Sequence, residues 1–322
     1  MKNEHDLVAQ IERAFGGART KALHLSLGDD AALWSPAAGQ ETILTCDWFL
    51  EGTHFLRGKH PAEAVGWKCL ARAVSDIAAM GGKPRCFLMS LAIPETLAGK
   101  WFGEFLRGLR RASKEFSCEL AGGDTTRRDE MMISITVIGE VAQGSAILRS
   151  GARPGDGMYV SGTLGEAELG LRELRRIEGM AKSGNAALRK HLYPRPRLAL
   201  GHWLAGNRLA TAMMDLSDGL STDLPRLCEA SGVGARIDGD SLPASVLVRG
   251  REAYALALHG GDDYELLFTV AKKNARHLPP SLHGLRLTRI GEITREKKIL
   301  VKTVAGKTIA LISGGWDPFR KA

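Results

Sequence analysis

The sequence predicts two domains of mixed α and β structure, an α/β or α+β sandwich. Three observations carry this reading. The chain has 322 residues, more than the ~100–200 typical of one domain. Short β-branched runs alternate with stretches of helical period in both halves. The texture also changes at RSGARPGDGMYVSGTLG, residues 149–165, which is rich in Gly, Pro and Ser. That segment places a boundary near residue 150 and divides 1–148 from 149–322.

The elements follow in order. Residues 4–15 have a helical rhythm in Leu7, Ile11, Ala14 and Phe15 and end at Gly16-Gly17. Residues 42–45 read as a strand that delivers Cys46 and Asp47 at its end. A long helix is predicted from Pro61, with Leu70, Ala73, Val74 and Ile77 on one face and Gly81-Gly82 as its stop. Asp76 falls at the edge of that apolar stripe. Residues 87–93 form a strand closed by Pro94, 101–116 a helix through Phe102, Phe105, Leu106, Leu109 and Phe116, and 131–141 a β-branched strand. In the second half, 158–160 and 211–215 read as strands, and 165–179, 196–206 and 223–231 as helices. The chain finishes in a hairpin, 299–304 and 308–312, around Ala305-Gly306-Lys307. No segment repeats at the ~20–50-residue period of a solenoid.

Hydrophobic residues at 44% and charged residues at 25% exclude a disordered or fibrous chain. The 44 Lys+Arg against 36 Asp+Glu give +8. This invites an anionic partner, but the basic residues are scattered, so no nucleic-acid stripe is indicated. Cys46, Cys69, Cys86, Cys118 and Cys228 are odd in number and never spaced as CxxC. Neither a disulfide framework nor a structural zinc site is expected, and a reducing compartment is the default. The first residues carry charges throughout, with no apolar core of a signal peptide, and no run approaches ~18 apolar residues. The expectation is a cytoplasmic protein that binds no membrane.

The placement of the acidic residues is the most informative feature. Asp29-Asp30 follow Gly28, Asp124 follows Gly122-Gly123, and Asp262-Asp263 follow Gly260-Gly261. Asp215 and Asp218 flank Leu216-Ser217 and precede Gly219. One aspartate beside one glycine is usually a turn. With Asp47 at its strand end and Asp76 on its helix these make six places, most beside apolar segments. That is a different matter, because carboxylates gathered at strand ends cannot all stay ionised without cations between them. Oxygen ligands with no His or Cys cluster point to Mg²⁺, which commonly bridges to substrate phosphates. The 38 glycines, above the usual ~7%, suit close approach of backbone N–H groups to phosphate oxygens. Ser217-Asp218-Gly219 precedes a helix, either as a plain cap or as an anion site. Pro225 favours a helix start near Asp223.

Several familiar motifs fail. Gly306-Lys307-Thr308 resembles the end of a Walker A loop, but Val301 stands where its first glycine belongs. Gly162, Gly165 and Gly170 do not meet GxGxxG, and no GxSxG or HExxH occurs.

Eight motifs stand in order along the chain: GDDAAL, TCDWFLEGTHF, GWKCLARAVSDIAAMGGKP, AGGDTT, RSGARPGDGMYVSG, MDLSDGL, GGDDYEL and GGWDPF. Through them, from about residue 27 to 319, the sequence resembles the thiamine-monophosphate kinase family of the aminoimidazole-ribotide-synthetase-like ATP-binding superfamily. The resemblance implies that superfamily's two-domain fold. Its N-terminal domain would be β-rich, bind ATP and Mg²⁺, and pair with a second copy through its strands, giving a homodimeric barrel. Its C-terminal α/β sandwich would complete the active site. The implied activity is ATP-dependent phosphorylation of thiamine monophosphate to thiamine diphosphate with several Mg²⁺ ions.

Carried over by position, Asp30, Thr45, Cys46 (through its carbonyl), Asp47, Asp76, Asp124, Asp215 and Asp218 match metal ligands. Gly123, Asp124, Arg149 and Ser217 match ATP contacts, and His54, Glu265 and Phe319 match contacts to the thiamine phosphate. Read alone, His54 is equally a loop histidine, Phe319 a packing anchor and Arg149 a linker charge. Ala73 departs from the family's usual Asn, and Phe102 and Phe105 are the candidates for an adenine-stacking aromatic. No general base is required, since a phosphate nucleophile with a second pKa near ~6 is already ionised at neutral pH. Metal ions and Arg149 would then bring two polyanions into line. The competing readings are a selenophosphate synthetase, a hydrogenase-maturation enzyme, an aminoimidazole ribotide synthetase, or a non-catalytic nucleotide-binding module. The first needs an early reactive Cys and the second a C-terminal Cys, whereas the first Cys here is Cys46 and the chain ends WDPFRKA.

Overall fold

The structure is a computed structural model that describes residues 4–16, 20, 22–27, 30–181, 184–303 and 306–319. It forms two compact units, Met1–Ile77 with Gly82–Gly144 and Leu174–Ser183, and Ala78–Gly81 with Ser145–Glu173 and Gly184–Ala322.

The first unit begins with α1 (Glu4–Phe15) and a small antiparallel pair, β1 (Leu23–Leu25) and β2 (Leu33–Trp34). It continues through β3 (Gln40–Leu50), α2 (Ala62–Ala79), β4 (Lys83–Ile93), α3 (Lys100–Phe116), β5 (Glu119–Arg127) and β6 (Met132–Ala142). Four of these strands make one sheet in the order β3-β6-β4-β5. β6 runs antiparallel to both neighbours and β4 parallel to β5. Alternation along β3 divides its side chains between two faces. Ile43 and Phe49 are buried on one, while Leu44 (69% exposed) and Trp48 (54%) stand on the other.

In the second unit, β7 (Gly157–Ser161) is followed by α4 (Glu166–Arg176), α5 (Ala186–Leu192), α6 (Leu198–Gly206) and β8 (Ala210–Leu216). Next come α7 (Leu220–Ser231), β9 (Gly234–Asp238), α8 (Gly250–His259), β10 (Glu265–Val270), β11 (Ser281–Leu282), β12 (Leu285–Thr294), β13 (Ile299–Lys302) and β14 (Thr308–Ala310). The main sheet runs β14-β13-β9-β12-β7-β10-β8. Met158, Val160, Met214 and Leu267 pack with Leu220, Leu224 and Leu227 of α7 and Leu258 of α8. The intervening residues Tyr159, Met213, Leu266 and Phe268 pack with Leu200 and Leu204 of α6. Helices thus cover both faces of the sheet. β10 accordingly is buried at every residue, as a strand sandwiched on both sides must be.

Several boundaries differ from the sequence reading. The strand predicted at 42–45 extends to Leu50, so Asp47 lies within it and not at its end. Trp48 and Phe49 continue the period-two alternation past Asp47, and the side chain leaves the backbone ladder untouched. β5 carries no strand expectation from the sequence, and Asp124 lies inside it and not at a strand end. The helix expected from 223 starts at Leu220, with Gly219 as its cap and Pro225 in its second turn. α5, β9, α8, β10 and β12 were not anticipated. The final hairpin is present as antiparallel β13 and β14, while 304 and 305 lie outside the described residues.

Truncating Phe268, buried on β10, should cost about 3–5 kcal/mol in Phe268→Ala. Val246→Ala, at a residue 88% exposed, should stay within ~0.5 kcal/mol. Urea denaturation measures both, and equal losses would contradict the layer arrangement.

Candidate functional site

In the first unit the candidate residues sit on three elements. β3 carries Thr45, Cys46 and Asp47, α2 carries Asp76, and β5 carries Gly123 and Asp124. Thr45 and Asp47 share the β3 face of Ile43 and Phe49, and the Thr45 hydroxyl donates to Asp76 Oδ2. The Cys46 side chain takes the opposite face, where its Sγ lies 3.4 Å from Ser134 Oγ. Only the backbone of Cys46 can therefore act together with Thr45 and Asp47. Gly123 has a steric reason to be glycine, since a Cβ there would stand 1.9 Å from the carbonyl oxygen of Met89. Asp30 and Asp124 are exposed, whereas Gly28 and Asp29 lie outside the described residues.

Asp47 and Asp124 occupy opposite edges of the four-stranded sheet. Neighbouring strands lie ~4.8 Å apart, so three steps separate these edges by about 14 Å. Consistently, no group of three or more His, Cys, Asp or Glu side chains is placed to hold a metal ion among the described residues. The individual donors nevertheless suit Mg²⁺ well, being carboxylates, a hydroxyl and a carbonyl.

His54 lies between β3 and α2. Its Nδ1 accepts the N–H of Leu50 at 3.0 Å, and its ring stacks on Phe49 with centroids 5.9 Å apart. A neutral imidazole that accepts at Nδ1 carries its proton on Nε2, so that edge is a donor suited to an anion. Phe102 and Phe105, the candidates for stacking on adenine, are fully buried and stack on each other at 6.1 Å. They belong to the core because they fall on the inward stripe of α3, and no adenine contact can use them here.

In the second unit, Asp215 is buried near the end of β8 and Ser217-Asp218 form the turn into α7. The Asp223 carboxylate reaches back to accept the Asp218 N–H at 3.0 Å. Arg226 Nη1 donates to Asp218 Oδ2 at 2.6 Å and to Asp223 Oδ1 at 2.8 Å. Burial, and then the neighbouring Asp218 charge, push Asp223 up to about 7. Arg149 is exposed, with its carbonyl accepting the Ser231 hydroxyl. Phe319 is 94% exposed, so it is no packing anchor.

The GGDDYEL segment divides its acids between tasks. Asp262 and Tyr264 both have positive φ, 65° and 50°, a strained conformation for non-glycine residues. This turn aims Asp263 at the start of α4, where its carboxylate accepts the N–H groups of Gly165 and Ala167. Burial pushes Asp263 up to about 6, opposed by Lys190 and by those two N–H groups. Glu265 is wholly buried. It accepts two bonds from Arg197 and one from Ser161 Oγ, and Lys190 Nζ is 3.3 Å away. It presents no surface of its own to a ligand in this structure. Asp223, Arg226, Lys190, Arg197, Ser161 and the capping role of Asp263 were missed from sequence. The spacing of Asp218, Asp223 and Arg226 around one helix start was the only available signal.

Two family models match the chain: the AIR synthase related protein N-terminal domain over residues 28–141 and the corresponding C-terminal domain over residues 135–303. Thiamine-monophosphate kinase of Escherichia coli (strain K12) is 37% identical over 319 residues, 96% of this chain and 97% of the relative. That of Bacillus subtilis (strain 168) is 35% identical over 293 residues, 88% and 90% of the two chains. The crystal structure of thiamine-monophosphate kinase from Stenotrophomonas maltophilia K279a superposes with a TM-score of 0.81 at 36% identity, over 92% of this chain and 95% of that one. A structure described as AaThiL complexed with AMPPCP and TMP superposes with a TM-score of 0.78 at 33% identity, over 99% of each chain. The hydrogenase maturation protein HypE in complex with ATP, at 19% identity and a TM-score of 0.79, shares the fold.

Asp263→Ala would leave the N–H groups of Gly165 and Ala167 without their acceptor and remove one of the carboxylates around Lys190, and should cost about 2–4 kcal/mol. Chemical denaturation of the full chain measures this, and a loss under ~0.5 kcal/mol would contradict the capping role.

Proposed function

The chain belongs to the thiamine-monophosphate kinase family of the AIR synthase related proteins, and from that premise we propose that it transfers the γ-phosphoryl group of ATP to thiamine monophosphate, giving thiamine diphosphate and ADP. The observation that carries the reading is the Thr45–Asp76 hydrogen bond. It sets oxygen donors from a strand and a helix on one face beside Asp47, with no histidine or thiol among them. The relative in complex with AMPPCP and TMP, alike over 99% of both chains, supports the choice of substrates.

In this reading Asp30, Thr45, the Cys46 carbonyl, Asp47, Asp76 and Asp124 of the first unit would hold Mg²⁺, together with Asp215 and Asp218 of the second. The bound ions would offset phosphate charge and orient the reacting groups. Gly123, Asp124, Arg149 and Ser217 bind the nucleotide. Arg149 supplies charge where it develops in the transition state. His54 donates from Nε2 to the substrate phosphate, and Phe319 lies against its heterocycle. Glu265 acts from below the surface, through the charge it shares with Arg197. No side chain needs to remove a proton, since the attacking phosphate oxygen is ionised at neutral pH.

The separation of Asp47 from Asp124 supports a homodimer. Two copies that bring the β3 edge of one beside the β5 edge of the other would unite the carboxylates that one chain keeps about 14 Å apart. Burial of exposed Leu44 and Trp48 would favour that association. In this reading 1–148 forms the ATP-, Mg²⁺-binding and dimerising domain, and 149–322 completes the site.

Incubation with ATP, Mg²⁺ and thiamine monophosphate, followed by phosphorus NMR, should yield thiamine diphosphate and ADP. Asp47→Asn and Asp124→Asn should each lower turnover by at least ~10³-fold while circular dichroism and the melting temperature are retained. Turnover of another phosphorylated nucleophile alone would sink the substrate assignment, and near-normal rates in both variants would sink the metal assignment.

A further inference from the structure

The last described residues of the second unit, 313–319, cross the N-terminal end of α7 and are tied down there through polar groups. The Ser313 and Thr222 hydroxyls lie 2.9 Å apart. The Gly314 N–H donates to Ser221 Oγ at 3.2 Å, and the Trp316 N–H donates to the Asp218 carbonyl at 2.9 Å. Ser221 is completely buried, and its hydroxyl also shares a 2.8 Å hydrogen bond with His259 Nδ1. Burial holds that imidazole below its ordinary pKa, so it is neutral at pH 7. The approach is close: a Cβ at Gly315 would stand 2.1 Å from the Asp218 carbonyl oxygen. Any larger residue there would lift the segment.

These bonds do not serve a hydrophobic core. Leu311, just before the segment, packs on the core, but beyond it the apolar side chains point outward, with Ile312 78%, Trp316 45% and Phe319 94% exposed. A segment held by polar anchors, the buried Ser221 among them, while its aromatics face solvent is arranged to present those aromatics. Ordering such a segment in advance lowers the entropy that a ligand must remove on binding. The same anchors join the segment to Asp218, one of the acids matched to metal, so its position is tied to the turn that carries Ser217 and Asp218.

We propose that Ser221 and His259 are positioning residues for the thiamine-phosphate subsite, fastening the C-terminal segment so that Phe319 is held ready for the heterocycle. This rests on the reading of Phe319 as a substrate contact. Ser221 contributes the shared hydroxyl, and His259 orients it from the end of α8. Neither touches substrate, so their loss should weaken substrate binding and leave nucleotide binding intact.

The test compares Ser221→Ala, Phe319→Ala and the double variant in the full chain, with KM measured separately for thiamine monophosphate and ATP. Each single variant should raise the KM for thiamine monophosphate about tenfold, with the KM for ATP changed by less than ~2-fold. The double variant should be no worse than Phe319→Ala, since both substitutions remove the same contact. His259→Ala should behave like Ser221→Ala, and His259→Asn, whose amide can replace the ring nitrogen, should recover most of the loss. If Phe319→Ala raises that KM while Ser221→Ala leaves it unchanged, the fastening role is overturned and the substrate contact stands. If Phe319→Ala itself has no effect, the contact reading fails and the fastening role fails with it. A Ser221→Ala variant that raises both KM values equally would also overturn the proposal, by showing general disruption.

Discussion

Two carboxylates that the proposed site would unite stand on opposite edges of a single sheet. β3 and β5 are the outer strands of the first unit, so Asp47 and Asp124 cannot approach each other without breaking the ladder between them. The backbone pairing of β6 and β4 is therefore a spacer about 14 Å wide. Both acids sit where a second sheet could meet them, since an edge strand carries unpaired backbone groups along its open side. The exposed Leu44 and Trp48 fit the same arrangement, for they lie on the β3 face that the helices leave uncovered. On the proposed reading, the first unit of one copy holds only part of a site.

The second unit handles its acids differently. Its sheet is covered on both faces, and an ionised carboxylate inside such a layer needs partners. Asp263 has Lys190 and the start of α4, and Glu265 has Arg197 and Ser161. Asp218 remains partly exposed at the turn before α7 and is braced by Arg226. Neighbouring acids in similar glycine-rich motifs consequently do unlike work. Asp263 is tied into the fold, while Asp218 stays partly open to solvent at the turn. Breaking the buried pairs costs far more than breaking the exposed one.

Much of this was legible in the sequence, and the exceptions have physical causes. Apolar periodicity located α1, α2 and α3 almost to the residue, because an amphipathic helix needs its stripe wherever it packs. It gave no strand at β5, which Gly122-Gly123 interrupt, or at β10, which follows the Gly- and Asp-rich residues 260–263. β5 is an edge strand that tolerates glycine, and β10 follows a strained turn at Asp262 and Tyr264 whose N–H groups donate to the distant Ser217 and Leu216 carbonyls. Of the candidate site, the acids themselves were visible as an ordered set of motifs. Their supports were not, since Lys190, Arg197 and Ser161 reach Glu265 from 68 to 104 residues away and no local spacing announces them. Phe102 and Phe105 show the opposite case, in which aromatics of a core stripe also stand as candidates for a ligand contact that their burial excludes.

The net charge of +8 turns out to say little about the site, which is acidic in both units. What matters is whether Asp47 of one copy works with Asp124 of another. The direct measurement mixes the inactive Asp47→Asn and Asp124→Asn proteins, lets subunits exchange, and assays thiamine diphosphate formation. Random exchange makes half the dimers mixed, each with one intact site, so activity should return to about a quarter of the native value. If the mixture stays as inactive as its components after exchange is verified, the two aspartates serve one site from the same chain, and the account of a shared site is wrong.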